Sequence, residues 1–353
     1  MSNQLLIGID SFVAAGIDPA TGQPIGPADR MQQLLEEIAL ADEVGLDTFG
    51  IGEHHRRDFL DAAPAMILAA AAARTKRIHL NSAVTVLSAD DPVRVFQNFA
   101  TLDLLSQGRA ALIVGRGSFT EAFPLFGLSL NDYDSLFTEK LDLLLKIRDN
   151  ATVTWSGQHR APLKNQGIYP RPLQEKLPIW LGVGGTPESF VRAGTLGLPL
   201  MIAIIGGEPH RFRPLVDLYR EAGRRAGHPA EQLQVGVHVF GFVGDTTQQA
   251  ADDFYPGYAK MFATISQERG FPAPTRAQYD ATRGPRGAFM IGNPETVAAK
   301  LLAVSESLGG LARISIQMTN LLLPHAKMLH GIELLGARVA PLVREALTVG
   351  SHA

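Results

Sequence analysis

The sequence predicts an α/β protein folded as a (β/α)8 TIM barrel with insertions at the C-terminal mouth. Three observations lead there. Short β-branched or apolar runs alternate with longer stretches of helical period along the chain. There are eight such units, the number that closes a parallel barrel. No strand-to-helix turn carries the Gly-x-Gly-x-x-Gly spacing expected of a doubly wound dinucleotide-binding sheet; Gly184-Gly185 and Gly206-Gly207 do not match it. The 353 residues, 46% hydrophobic and 19% charged, supply core enough for one domain over 1–353.

In order, strands are expected at Leu5–Ile9, Thr48–Gly52, Ile78–Leu87, Ala110–Val114, Ile179–Gly182, Leu200–Ile205, Val235–Val243 and Ile314–Met318. Helical period falls over Ala28–Val44, Ala63–Arg74, Pro92–Leu105, Asp132–Arg148, Pro187–Thr195, Arg211–Ala226, Thr247–Ile265 and Pro294–Leu308. Asp91-Pro92 and Asn293-Pro294 place proline just after a capping side chain, and Asn131 is positioned to cap its helix. Two insertions, about 151–177 and 266–291, interrupt the alternation through the Pro- and Gly-rich stretches Ala151–Lys176 and Phe271–Met290. The first contains material for a short hairpin. Loops of that length in a compact domain are characteristically functional. Pro324–Leu347 reads as a closing helix.

Composition narrows the function. A net charge of −3 offers no global field for nucleic acid or anionic membrane. With no cysteine there is no disulfide, thiol nucleophile or cysteine-held metal. Met1–Gln4 lacks a basic leader, and the longest apolar run, Ala62–Ala73, is shorter than the roughly 18 residues of a membrane span. The expectation is a cytoplasmic protein.

On a barrel, polar clusters at strand C-termini face the mouth. Gly52-Glu53-His54-His55-Arg56 follows the second strand, and its imidazoles suit proton transfer. A salt-bridged loop explains the cluster equally well, and adjacent histidines on extended chain point apart, which disfavours a metal pair. The third strand is rich in small residues, compatible with a flat ligand or with ordinary barrel filling. Gly115-Arg116-Gly117 exposes a guanidinium suited to phosphate or carboxylate; an ordinary ion pair is the alternative. Gly184-Gly185-Thr186-Pro187-Glu188-Ser189 opens a helix with free amides and two hydroxyls, either an anion cradle or a simply capped turn. Asp10 and Ser11 end the first strand. Arg283-Gly284-Pro285-Arg286-Gly287 is a basic patch without an aromatic platform, read as a ligand-facing loop rather than a nucleic-acid site.

These pieces occur in a recognisable order. With Ala83-Val84-Thr85-Val86-Leu87, Pro92-Val93-Arg94, Leu102-Asp103-Leu104-Leu105-Ser106-Gln107-Gly108-Arg109, Phe126-Gly127, Pro178-Ile179-Trp180, Gly197-Leu198-Pro199 and Gly292-Asn293-Pro294-Glu295, the chain resembles the bacterial luciferase-like, flavin-dependent monooxygenase family over nearly its full length.

The resemblance implies a barrel binding FMN at its mouth, where reduced flavin and oxygen act on a small organic substrate. It implies that His54 lies near the flavin and assists proton transfer or steadies the peroxide, with Glu53 a second catalytic candidate, and that Ala83, Val84 and Thr85 lie beneath the flavin ring with a non-prolyl cis bond at Ala83–Val84. Arg116, Gly184, Gly185, Thr186 and Ser189 then hold the phosphate. It also implies a separate flavin reductase, since no nicotinamide fingerprint is present, and a homodimer formed through helices flanking the second to fourth strands.

The chain departs from bacterial luciferase in two places. Gly115 stands where luciferase has a reactive cysteine, and Tyr133-Asp134 stands where it has a second phosphate-binding arginine. Asp134 is expected to cap or turn, and Tyr133 to donate in the arginine's place. A deazaflavin-dependent dehydrogenase and a non-catalytic flavin-binding protein are the alternative readings.

Overall fold

The computed structural model describes residues 5–270 and 272–350; the Met1–Gln4 stretch and Phe271, where the second excursion was expected to begin, lie outside the described residues. The elements run β1 (Leu6–Ser11), α1 (Pro27–Glu43), β2 (Thr48–Ile51), α2 (Pro64–Ala72), β3 (His79–Ser82), β4 (Thr85–Val86), α3 (Pro92–Ser106), β5 (Ala110–Gly115), α4 (Ala122–Leu125) and α5 (Tyr133–Asp149). There follow β6 (Thr152–Trp155), β7 (Leu163–Gly167), β8 (Ile179–Val183), α6 (Pro187–Thr195), β9 (Leu200–Ile204), α7 (Arg213–Arg225) and β10 (Val235–Val243). The chain closes with α8 (Thr247–Arg269), α9 (Arg276–Thr282), β11 (Met290–Gly292), α10 (Pro294–Ser307), β12 (Arg313–Gln317), α11 (His325–Leu334) and α12 (Ala340–Gly350).

Parallel pairing carries the sheet from β1 through β2, β3 with β4, β5, β8, β9, β10 and β12 back to β1, an eight-membered closed barrel. Alternation along each strand sorts the side chains. Leu112 and Val114 join the large core between sheet and helices, whereas Ile113, Trp180 and Met201 form a separate cluster inside the ring. Buried Arg313 donates to Asn81 Oδ1 and, at 3.2 Å, to Ser315 Oγ. On the neighbouring inward position of β1, Asp10 pairs with His238.

Local signals explain most boundaries. Asp91 Oδ1 accepts from the Val93 and Arg94 amides at 2.8 and 3.3 Å, and Asn293 Oδ1 accepts from Thr296 N at 3.1 Å, so both Pro-led helices are capped as expected. Asn131 is not a cap. Its amide donates to Ser129 Oγ at 3.1 Å, which starts a 3-10 turn and delays α5 to Tyr133. The Asp103…Arg109 stretch is scaffolding: Arg109 donates to the carbonyls of Ala72, Thr75, Ile78 and Ser106, pinning α2 to the start of β5.

The expected strand Ile78–Leu87 is split in two around a cis peptide bond at Ala83–Val84. The excursion after α5 contains the antiparallel β6–β7 hairpin. The excursion after α8 is not structureless. It holds α9, opened by a reciprocal Thr275/Gln278 capping box, and β11, which extends the upper half of β10 beyond the ring.

Candidate functional site

The clusters at Asp10–Ser11, Gly52–Arg56, Gly115–Gly117 and Gly184–Ser189 stand at C-terminal ends of the parallel strands and so belong to one end of the barrel. The β2 end is built around Gly52. A Cβ there would lie 2.6 Å from Phe12 and 2.7 Å from Asp61 Oδ2, so only glycine fits. Beyond it the chain is extended, and Glu53 and His54 must face opposite ways.

His54 is buried beside the end of β1. Its Nδ1 lies 2.8 Å from Oδ2 of Asp61, which is wholly buried, and its ring packs among Phe12, Phe59 and Phe119 at 4.5, 4.8 and 5.0 Å. Burial pushes the Asp61 carboxyl above the usual carboxylate range. Glu53 turns outward. Its Oε2 accepts from the Val86 amide at 2.9 Å, bracing β4 just beyond the cis bond, and its Oε1 lies 3.3 Å from His55 Nε2. That carboxylate raises the His55 pKa. The structure thus separates Glu53 from His54.

The floor of the mouth is Val84. It is wedged between β5 and β8, where a Cβ on Gly115 or Gly182 would come within 2.8 or 2.7 Å of its methyl groups. Val84 remains half-buried, beside Ala83 and Thr85.

At the β8 end the chain enters α6 through an open turn. Gly184 and Gly185 are exposed, with nothing within 4 Å of where a Cβ would stand. Thr186 occupies the N-cap position of α6, yet its side chain makes no cap hydrogen bond. Of the two sequence readings, the simply capped turn is absent and the helix start remains open. Arg116 leans in from β5. It donates to Asp134 at 2.5 Å and to Ser189 Oγ at 3.4 Å, with its guanidinium 5.3 Å from the Tyr133 ring centre.

Asp134 is therefore an ion-pair partner rather than a cap, and the Tyr133 hydroxyl donates to the Gly117 carbonyl at 2.6 Å. Arg192, one turn beyond Ser189, lies over Phe137 and has no ion pair among the described residues. Burial and the like charge of Arg116 both lower its pKa.

Arg56 gathers the cover. It donates to Glu121 at 2.5 Å and to both Glu268 oxygens at 2.7 and 2.8 Å, joining the β2, β5 and α8 ends. Phe119 lies between the guanidinium groups of Arg56 and Arg269, 4.9 and 4.8 Å from its centre, and so caps His54. The Arg283–Arg286 loop is not a free basic patch, because Arg283 pairs with Asp280 at 2.7 Å and Arg286 with Glu208 at 3.3 Å.

The model of the luciferase-like monooxygenases matches residues 9–311. The chain belongs to that family. This luciferase-like chain is 26% identical over 316 residues to the 4-hydroxyprotoasukamycin monooxygenase of Streptomyces nodosus subsp. asukaensis, covering 84% of this chain and 83% of that one.

Its fold superposes with a TM-score of 0.74 on the oxygenating constituent of 3,6-diketocamphane monooxygenase from Pseudomonas putida, solved with FMN, at 20% identity and 96% and 98% coverage. It superposes with a TM-score of 0.73 on an F420-dependent secondary alcohol dehydrogenase, at 18% identity and 96% and 99% coverage. At these identities the two structures share the fold.

In this luciferase-like barrel His54, the Ala83–Val84–Thr85 segment, Arg116 and the Gly184–Ser189 turn stand at the same end of the sheet, with Val84 packed beside Gly115 and Gly182 and Arg116 reaching Ser189. Three contributors escaped the sequence reading: Asp61, Arg192 and the Arg56 clamp. Arg192 carries the most readable signal, since Thr186, Ser189 and Arg192 recur every three residues on one helix face. No described helix is long and apolar enough to cross a membrane.

Proposed function

We propose that this chain, as a single domain, is a flavin-dependent monooxygenase. In this reading it uses reduced FMN, supplied by a separate flavin reductase in the cytoplasm, and oxygen to oxidise a small organic substrate. The observation that carries the reading is the open start of α6 facing Arg116. Free helix amides, two exposed glycines, two hydroxyls, the Asp134-paired guanidinium of Arg116 and that of Arg192, which has no ion pair among the described residues, make a donor set of the kind that binds a phosphate monoester dianion.

The floor fits the rest of the cofactor. Val84, with Ala83 and Thr85, offers a small apolar surface on which a flat ring rests, and Gly115 and Gly182 hold it from behind. Bound there, reduced flavin supplies the electrons for oxygen activation. The protein's own part is to orient and to exclude water. Arg116 fixes the phosphate, and Tyr133 holds the Arg116 segment through Gly117. His54 presents its free Nε2 to the mouth as the proton-transfer group. Glu53 acts at one remove by bracing Val86. Phe12, Phe59 and Phe119 give the His54 side an apolar wall suited to a hydrophobic substrate.

A homodimer is part of the proposal. Met66, Leu105 and Phe126 are 75%, 59% and 53% exposed around a cavity of about 350 Å³ between α2 and α3, apolar side chains that a second copy of the chain would cover.

The test is a titration of purified protein with FMN and with the deazaflavin coenzyme, each oxidised and reduced, followed by addition of oxygen. Tighter binding of FMN with oxygen uptake by the reduced complex supports the monooxygenase. Preference for the deazaflavin without oxygen uptake moves the chain to hydride transfer. Binding of FMN without catalysis in a substrate screen leaves a flavin-binding protein, and binding of neither removes the flavin reading.

A further inference from the structure

We propose that Asp61 is a positioning residue that holds His54 as its Nδ1–H tautomer, leaving Nε2 as the proton-accepting atom at the mouth. The proposal deepens the reading of His54 given above and rests on it for its purpose, though not for its geometry.

A carboxylate with no exposure is costly unless it has a partner that repays its desolvation. No lysine or arginine pairs with Asp61 among the described residues. Its one side-chain partner is the His54 imidazole, at 2.8 Å. Burial raises the Asp61 pKa and its Oδ1 has no hydrogen bond among the described residues, while the His54 ring at Oδ2 favours the ionised form. An ionised carboxylate can only accept, so the proton between the two must be carried by Nδ1. In a neutral ring this leaves Nε2 bare, and Nε2 has no hydrogen bond to any described residue.

The surroundings hold the plane of the ring, and Asp61 distinguishes its two nitrogens. Phe12, Phe59 and Phe119 contact the imidazole from different sides, and Gly52 makes room for both partners where a Cβ would strike Asp61 and lie 3.1 Å from His54 Cε1. A histidine that served only as packing would need neither a buried carboxylate nor a glycine to admit it. The ring is aimed, and Asp61 aims it.

The experiment uses the full chain, free of flavin and labelled with 15N at histidine. Two-bond proton–nitrogen correlations report the tautomer of each neutral imidazole, and loss of one set in His54→Gln identifies His54. Wild type is expected to show Nδ1–H. Asp61→Leu removes the acceptor while keeping a side chain of similar size, and the spectrum should move to Nε2–H, the form a histidine ring favours when no acceptor faces Nδ1; Asp61→Ala serves if that variant does not fold. A wild-type spectrum with Nε2–H overturns the proposal whether or not either variant folds, and so does an unchanged Nδ1–H form in a folded variant. Failure of FMN to bind would instead remove the reading of the mouth, which the tautomer measurement does not touch.

Discussion

Replacing Arg116 by alanine should weaken FMN and leave riboflavin nearly unaffected. The two ligands share a ring and differ in the phosphate, so their ratio cancels any general effect on the floor or on folding. A hydrogen bond to a charged group contributes roughly 1.5–3 kcal/mol. Phosphate must first draw Arg116 from Asp134, a carboxylate that is 71% exposed and held at 2.5 Å, and an exposed pair of this kind is worth about 0.2–1 kcal/mol.

The net contribution is about 1–2 kcal/mol, so FMN should weaken about 5- to 30-fold in Arg116→Ala while riboflavin changes by less than about twofold. Asp134→Asn removes the competitor and should tighten FMN by about two- to fivefold. Flavin fluorescence titrations of the three proteins with both ligands measure all of this. Equal weakening of FMN and riboflavin in Arg116→Ala would refute phosphate recognition by this side chain. Tighter riboflavin in Asp134→Asn would show that Asp134 acts on the ring instead.

His54→Ala should lower turnover with reduced FMN by on the order of 100-fold while the FMN Kd stays within about threefold; unchanged turnover takes His54 out of the mechanism. Gly182→Ala puts a methyl 2.7 Å from Val84, an overpacking of about 1–3 kcal/mol, and should weaken FMN and riboflavin together. A loss confined to FMN would mean that Val84 is not the floor.

Lys300 is buried, donates to the Arg283 and Gly284 carbonyls, and is held down to about 8 by its burial and by Arg283. Because its folded pKa lies below the unfolded one, the unfolded chain keeps a proton that the folded chain has lost. Stability should therefore rise with pH between about 8 and 10.5, by at most about 3 kcal/mol. Urea unfolding of wild type and Lys300→Met from pH 7.5 to 9.5 measures the difference, and parallel curves would show that Lys300 does not titrate there.

The barrel was legible because its signals are local. Apolar strand runs and Pro-led, Asp- or Asn-capped helices fix elements within a few residues, and Val235–Val243 and Pro187–Thr195 fall on their expected bounds. The split of the third strand was not readable from its apolar run, which continues through Ala83–Val84 without a break. The resemblance implied the cis bond there, but the division of the strand into two was not foreseen.

In the site, the spacing located His54, Arg116 and the Gly184–Ser189 turn because each follows a strand end. Asp61 was invisible, since nothing in a seven-residue interval through a loop says that the chain folds back upon His54. Asp134 was misjudged because a carboxylate in the first turn of a helix usually serves that helix. Here Arg116, from another strand, reaches it. The Arg56 clamp joins residues 65 and 212 positions apart, a relation that only the closed barrel creates.

That clamp makes α8 a measuring rod. Its 23 residues correspond to about 34 Å of helix, and Glu268 stands near the far end. Deleting one residue within the rod would withdraw Glu268 by about 1.5 Å and turn it by about 100° away from Arg56, whereas the same deletion after Gly270 would leave the contact in place. Length changes in this region should therefore be tolerated unequally on the two sides of Gly270, and the reach of the cover over His54 is set by a count of helical turns.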